Sequence, residues 1–312
     1  MANAYTDTST SSLGTSLVQT AYDRYVEFAL RAMPLIRDVA DKRPVQQAMP
    51  GSSVVFQLYT DLSAVTGTLT ETTDPDAVAL GNTSTVTVTL NEYGNAAIAT
   101  RKLELFSLSD VDPAIADIIA FNMADSIDGF AQTVLRQGSN VIYSGGGSTT
   151  TGVTAGSTIT SANIRKAIAK LRANKAVPRV GDLYWVGIHP EVSHDLRAET
   201  GAGGWREAHV YNESGAGNLW PGSIGVYEGA MFVESPRMYN ATDGGSSARV
   251  YRTLICGKQA LAEAVAEEPH VIIGPVTDKL MRFRPIGWYG VLGFSRYREA
   301  ALYRIESSSS IA

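Results

Sequence analysis

Cysteine is nearly absent from this chain of 312 residues, which contains Cys256 alone. An internal disulfide and a cysteine-based zinc or iron–sulfur site are therefore excluded. Long apolar runs are missing too: no segment approaches the ~18 consecutive apolar residues of a membrane-spanning helix, so we expect no contact with a membrane. Residues 1–16 have neither a basic start nor an apolar run, so we expect no secretory signal peptide.

Excess charge is small as well. The formal net charge of −5 gives the molecule as a whole no bulk attraction to nucleic acid. The 44% of hydrophobic and 18% of charged residues are values of a globular protein and argue against a disordered chain.

Catalytic and metal-binding patterns are also missing. The glycines Gly145–Gly147 lack the lysine that a phosphate-binding loop needs, and no G-x-S-x-G motif occurs. His189 and His194 are five residues apart and do not share a helix face as a zinc-binding pair would, so we interpret them as surface or capping residues. Cys256 lies in an apolar strand pattern and is predicted to be buried. The sequence thus predicts a protein that is not an enzyme, with no catalytic residue, cofactor or metal site.

Lysine and arginine are absent from the stretch 44–100. Two strand patterns, 52–62 and 84–94, flank roughly twenty small and polar residues, which predicts a two-stranded ribbon with a long connection. Such a ribbon is marginal alone and expects a partner surface. Five acidic residues give the stretch a formal charge of −5: Asp61, Glu71, Asp74, Asp76 and Glu92.

A long helix follows the ribbon. Asp112 is a predicted cap, Pro113 suits the first helical position, and apolar residues then recur every three or four positions as far as Val134. About 25 residues of helix would be almost 40 Å long. Before the ribbon, a further helical pattern over 17–39 has too little apolar surface to fold alone, so we expect it to lie on another surface.

The remainder predicts a compact region and a set of returning strands. Helix patterns occur at 161–176, with Ser161 as the cap, and at 190–199, between strand patterns at 183–188, 226–235 and 248–256. The basic helix 161–176 is compatible with nucleic-acid contact, but a solvated outer face is the favoured interpretation. Residues 279–304 have six basic side chains against Glu299 alone, a formal charge of +5.

This order of parts resembles the Hong Kong 97-type major capsid protein of tailed bacteriophages, and more narrowly the coat-protein group typified by phage N4. The local matches are YTDLSAVTGTLTETTDPD (59–76) and VTVTLNEYGNAAIATRKLELFS (86–107). The resemblance implies an α+β fold in five parts: an N-terminal arm (1–50), an extended β-hairpin loop (51–105), a spine helix with the first part of a peripheral domain (106–160), an axial domain (161–268), and peripheral return strands with the C-terminus (269–312).

The resemblance also implies a function. A major capsid protein assembles with itself as hexamers and pentamers into an icosahedral shell around double-stranded DNA, which it contacts without specificity. The implied partners are portal and scaffolding proteins and, in some phages, decoration proteins; assembly would take place in the host cytoplasm and the product would be the virion capsid. The lysine crosslink of Hong Kong 97 is not implied, since no lysine lies between Lys42 and Lys102. The alternatives are an encapsulin-like compartment that packages a cargo enzyme and, more distantly, a monomeric α/β enzyme or binding domain.

The opposite charges of the ribbon and the terminal strands predict a contact between subunits. In this hypothesis the five acidic residues of the ribbon lie over basic strands of a neighbour, with four candidate partners: Arg282, Arg284, Arg296 and Arg298. The alternative is that both are unrelated solvated faces.

Overall fold

The computed structural model describes residues 34–44, 51–59, 62–72, 74, 77–79, 84–106, 111–200, 205, 223–276 and 278–311. The predicted acidic contacts Asp61 and Asp76 lie outside these ranges, as does most of the helix predicted over 17–39. The part of that pattern that is described ends in a short 3-10 turn, Arg37–Val39.

The described residues form four α-helices and thirteen strands. The helices are α1 (Arg101–Phe106), α2 (Val111–Leu135), α3 (Ser161–Ala173) and α4 (Pro190–Ala198). The strands are β1 (Ala40–Pro44), β2 (Ser53–Leu58), β3 (Ser84–Thr89), β4 (Asn91–Thr100), β5 (Val141–Tyr143), β6 (Tyr184–Ile188), β7 (Ser223–Tyr227), β8 (Ala230–Glu234), β9 (Asn240–Ala241), β10 (Val250–Cys256), β11 (Leu261–Ile273), β12 (Phe283–Arg296) and β13 (Leu302–Ser307).

A long hairpin of β11 and β12 is the centre of a four-stranded sheet with the order β1-β11-β12-β4. The long helix α2 packs across it, as its apolar periodicity predicts. Asn122 on the helix accepts a hydrogen bond from the indole of Trp288 in β12 at 3.0 Å. Phe130 stacks on Tyr93 of β4 with the ring centroids 4.3 Å apart. Helix and sheet therefore share one packed interface.

The compact region is a seven-stranded sheet with the order β5-β13-β10-β6-β8-β7, and β9 pairs with the edge of β10. Helices α3 and α4 cover one face, where they bury a core that includes Ile164, Leu171 and Leu196. The end of α2 and the segment before β1 cover the other face. The sheet is thus covered by helices on both sides, and α3 lies on the side away from α2.

The ribbon of β2 and β3 has its own chain as a partner. Phe56 and Val88 are 4% and 0% exposed and pack against Ala262, Ala264 and Tyr297 of the long hairpin region. A side chain at Gly293 of β12 would collide with the carbonyl of Thr89, so glycine permits this close approach. The base of the ribbon thus has the partner surface that its sequence requires, but this surface belongs to its own chain and not to a neighbour.

Two predicted strands are in fact pairs of strands. The pattern at 84–94 ends in β3 at Thr89, and β4 begins at Asn91 and pairs with β12 instead of β2. The pattern at 226–235 contains a hairpin turn at Glu228 and Gly229, whose φ values are 52° and 81°. Each pair of strands is joined by only one or two residues, so the two strands of each pair look like one continuous strand pattern in the sequence.

The predicted arm includes part of the folded core. Leu35, Ile36 and Val39 are buried, and β1 pairs in parallel with β11. Asp128 of α2 fixes this segment, because its Oδ1 accepts hydrogen bonds from the backbone N–H groups of Ile36 at 2.6 Å and Arg37 at 3.1 Å. Residues 35–44 therefore belong to the body of the protein, whereas the arm prediction for residues 1–33 lies outside the described residues.

Asp128 also binds the compact region. Its Oδ2 lies 3.2 Å from Nε of Arg237, which follows β8. Burial raises the pKa of the Asp128 carboxyl, while the N–H donors of Arg37 and Ile36 oppose that rise. One buried carboxylate thus joins the helix, the segment before β1 and the seven-stranded sheet.

Candidate assembly surfaces

The far end of the four-stranded sheet exposes a group of apolar side chains, which we call the tip patch. It is formed by α1 and by the connection from β11 to β12. Leu105 and Met281 are 72% and 70% exposed, and Val276 and Phe283 lie beside them. The backbone N–H of Arg101 donates to the carbonyl of Arg282 at 2.9 Å, which holds the two segments together. A rigid apolar patch at the end of a sheet is typical of a surface that another chain covers.

Three arginines surround the tip patch: Arg101, Arg282 and Arg284. Arg282 lies 2.6 Å from Asp278 of its own chain through Nε and Oδ2. Hydrogen bonding from this guanidinium lowers the pKa of the Asp278 carboxyl. The tip patch therefore combines apolar area with an excess of positive charge.

The connection between β2 and β3 has the opposite charge. Its described residues form no helix or strand over 62–72 and 77–79, and Val65 and Leu69 are 86% and 75% exposed. Glu71 and Asp74 are exposed in the same segment, which has no basic residue. This loop is thus apolar and acidic where the tip patch is apolar and basic.

The predicted contact residues do not lie together in one subunit. Arg282 and Arg284 are at one end of β12, and Arg296 and Arg298 are at the other, roughly 40 Å away at ~3.3 Å per residue. Arg296 binds Glu299 of its own chain, with Nε and Oε2 2.9 Å apart. Glu92 lies in β4, opposite Val291, and not in the ribbon. The four arginines form two separate groups, and only the group at the tip patch is joined to a large apolar surface.

Residues 8–310 match the model of the phage capsid protein family. The chain belongs to that family. Three solved capsids share its fold, from Ralstonia phage GP4, cyanophage Pam1 and Helicobacter pylori bacteriophage KHP30. Their TM-scores are 0.77, 0.74 and 0.72 at 14%, 16% and 14% identity. The matches cover 98%, 96% and 98% of this chain and 98%, 99% and 99% of the others. No curated protein matches the sequence.

These findings identify the fold as the Hong Kong 97 type and the protein as a major capsid protein of a bacteriophage. The encapsulin-like alternative is not favoured, since the family and the structures above are those of phage capsids. The ribbon, the long helix and the compact sheet follow one another in the structure, and the last returning strand, β13, belongs to the compact sheet.

The two histidines singled out in the sequence and the cysteine of the capsid protein are a helix cap, an exposed side chain and a buried thiol. His189 is the N-cap of α4, and its Nδ1 accepts a hydrogen bond from the backbone N–H of Glu191 at 3.3 Å. His194 is exposed and lies 3.2 Å from Asp195. Cys256 is buried, and desolvation raises the pKa of its thiol to about 12. Across the described ranges, no helix is long and apolar enough to cross a bilayer and no group of three potential metal ligands occurs.

The apolar half of the tip patch is not among the contact residues predicted from the sequence. The run Leu103–Phe106 was included in the resemblance but not interpreted as a surface. A signal was present, since LELF lies directly after two basic residues in a helix of only six residues, too short to bury an apolar face of its own. The residues at 276–283 have no such signal, because their apolar side chains are few and follow neither a helix nor a strand period.

Proposed function

We propose that this capsid protein forms hexamers and pentamers of an icosahedral shell that encloses double-stranded DNA, and that its role is structural and not catalytic. The observation that carries the proposal is the tip patch together with the exposed acidic loop, because neither is covered in a single subunit. In a closed shell, each subunit offers its loop to one neighbour and its tip patch to another. Such a head-to-tail contact closes into rings when the rotation fits.

The contact we propose places the loop of one subunit on the tip patch of the next. Val65 and Leu69 would cover Leu105 and Met281, while Glu71 and Asp74 would approach Arg282 and Arg284. Asp61 and Asp76, which lie outside the described residues, stay candidate contacts because they belong to the same acidic stretch of sequence. Glu92, Arg296 and Arg298, at the other end of β12, are candidates for a second contact between subunits.

Apolar burial supplies most of the energy in this proposal. Covering a large aliphatic side chain contributes ~1.5–3 kcal/mol, whereas an exposed ion pair contributes ~0–1 kcal/mol. The charges therefore serve mainly to set the register of the loop. Because every subunit repeats the contact, a small loss at each one becomes a large change in assembly.

The other partners follow from this role. We infer membership of the group typified by phage N4, assembly in the cytoplasm of the host bacterium, and contact with portal and scaffolding proteins and, in some heads, decoration proteins. The DNA inside would be held without sequence specificity. The absence of lysine from 44–100 supports a shell whose loops are not crosslinked through lysine.

Charge reversal tests the contact. The variant Glu71→Lys/Asp74→Lys is expected to form few particles in electron micrographs, and adding Arg282→Glu/Arg284→Glu is expected to restore part of the yield. The matched control is Asp182→Lys/Glu228→Lys, which reverses two exposed acids of the compact region and should assemble normally. High salt should weaken assembly of the unaltered protein modestly, because exposed charges are screened over ~8–10 Å. Normal particles from the first variant at low salt would show that the loop charges are only solvated.

A further inference from the structure

Helix α3 presents a basic face to solvent. Ile164, Ala167, Ile168 and Leu171 point into the core of the seven-stranded sheet, and the opposite side has only small and basic side chains. The residues at 165, 166, 170, 172 and 175 are all exposed and basic: Arg165, Lys166, Lys170, Arg172 and Lys175. From Arg165 to Arg172 the face covers roughly 10 Å of helix axis.

These five cations lie together on one helix face that has no acidic side chain among them. None of them forms an ion pair with a carboxylate in the part of the chain that the structure describes; the only polar contact there is from Arg172 to the carbonyl of Glu228, at 3.5 Å. Eight arginines elsewhere do pair with carboxylates: Arg37, Arg179, Arg197, Arg237, Arg252, Arg282, Arg296 and Arg304. The face of α3 therefore keeps a concentrated positive charge, because its cations have neither an acidic neighbour on the helix nor a carboxylate partner elsewhere in the described residues.

We propose that this face of α3 binds the phosphate backbone of the DNA inside the shell; the inference rests on the proposed function, in which the shell encloses DNA. A duplex has one phosphate per ~1.7 Å of axis, so ~10 Å of DNA offers more charge than the helix face neutralises. Because the whole chain has a net charge of −5, contact with DNA requires a local basic surface of this kind. Recognition would be by charge alone, since phosphate contacts do not read sequence.

The acidic loop of a neighbouring subunit is the competing partner for α3. Its exposed apolar residues, Val65 and Leu69, require an apolar surface, which the tip patch offers and α3 does not. Between its cations α3 exposes only alanines, at 162, 169 and 173. A hydrated polyanion without apolar groups fits this face better than the loop does.

The test measures binding of unassembled full-length protein to a short fluorescent duplex DNA of mixed sequence, across about 50–200 mM salt. The variant Lys166→Gln/Lys170→Gln removes two cations at exposed positions, and glutamine keeps the helix propensity of lysine. We expect the slope of log affinity against log salt to become shallower by about two, one for each lost phosphate contact. The conservative variant Lys166→Arg/Lys170→Arg should keep the slope.

A matched control separates local from overall charge. Lys42→Gln/Arg249→Gln also removes two exposed cations and should leave the slope unchanged. Equal losses in both glutamine variants, or no binding by the unaltered protein, would overturn the proposal. Loss of particles by Lys166→Gln/Lys170→Gln with unchanged DNA binding would also overturn it and identify the acidic loop as the partner.

The proposed function is tested separately in the same samples. If the unaltered protein forms no shells in electron micrographs, the proposed function fails whatever the DNA measurement shows. If it forms shells and only the DNA measurement is negative, the inference about α3 fails alone.

Discussion

The tip patch and the basic face of α3 both present several cations, yet they are suited to different partners. At the tip patch the arginines surround large apolar side chains, and Arg282 is already paired within its own chain. On α3 the cations are unpaired and separated by alanine. Positive charge by itself therefore says little about the partner of a surface. The apolar area between the charges distinguishes a contact with protein from a contact with phosphate.

The largest effect is expected from substitutions confined to the tip patch. Replacing Leu105→Glu and Met281→Glu places two carboxylates where a neighbour would cover apolar area. Each contact should lose at least ~3 kcal/mol, which is more than a hundredfold in affinity, so sizing chromatography should show unassembled subunits. Both side chains are exposed in the subunit, so its unfolding temperature should not change. Ala169→Glu on α3 is the control and should still assemble; particles from the double variant would mean that the tip patch is not an interface.

A smaller effect is expected from Asp128, whose contacts join α2 to the segment before β1 and to Arg237. Asp128→Ala removes one of the two carboxylates that bind Arg237, the other being Asp125, and leaves two N–H groups without an acceptor, so we expect the free energy of unfolding to fall by ~2–4 kcal/mol. Thermal and denaturant unfolding of the unassembled protein measures it. Asp128→Asn keeps an acceptor and should lose less. If Asp128→Ala were as stable as the unaltered protein, the contacts of Asp128 would contribute little to stability.

The same residue gives the pH dependence a definite sign. Because burial raises the pKa of Asp128, its ionised form is disfavoured in the folded protein. The contribution of the protonated Asp128 carboxyl to stability is present below its ordinary pKa of 3.8 and is lost as the pH rises through the raised pKa of the folded protein. As the pH rises from 3.8 through the raised pKa, the unaltered protein should therefore lose stability relative to Asp128→Asn.

The smallest expected effect is on Cys256, which is buried at the end of β10 and belongs to neither surface. With a thiol pKa raised to about 12 and no exposure, almost no reactive thiolate is present at neutral pH. Iodoacetamide should leave the folded protein unlabelled by mass spectrometry and label it fully in denaturant. Rapid labelling of the folded protein would indicate that the sheet opens at β10, and neither surface could then be treated as rigid.

Periodicity predicted the parts whose structure is decided locally. The long helix occupies Val111–Leu135 as its apolar spacing indicates, and the strand at 183–188 forms as β6. One detail of α3 differs: its cap is Thr160, which accepts a hydrogen bond from the N–H of Asn163, and not Ser161. Adjacent residues that can both cap are not distinguished by type alone.

Contacts between distant parts of the chain could not be predicted. Asp128 meets Ile36 across 92 positions, and no local pattern marks that pairing. The break at Leu90 is decided by the partner strand, β12, which lies two hundred positions further on. The candidate contacts Arg282 and Arg296 looked like one basic segment because they are close in sequence. An extended strand separates them in space.

Strand β12 has a consequence for the geometry of a shell. Its end near Arg296 supports the base of the ribbon through Gly293, and its other end at Phe283 begins the tip patch. An extended strand of fourteen residues cannot stretch further. The distance between the base of the ribbon and the tip patch is therefore constant. In the proposed shell, neighbouring subunits would therefore keep one spacing. The different curvature of five-fold and six-fold rings would come from rotation between subunits and not from a change in the length of the subunit.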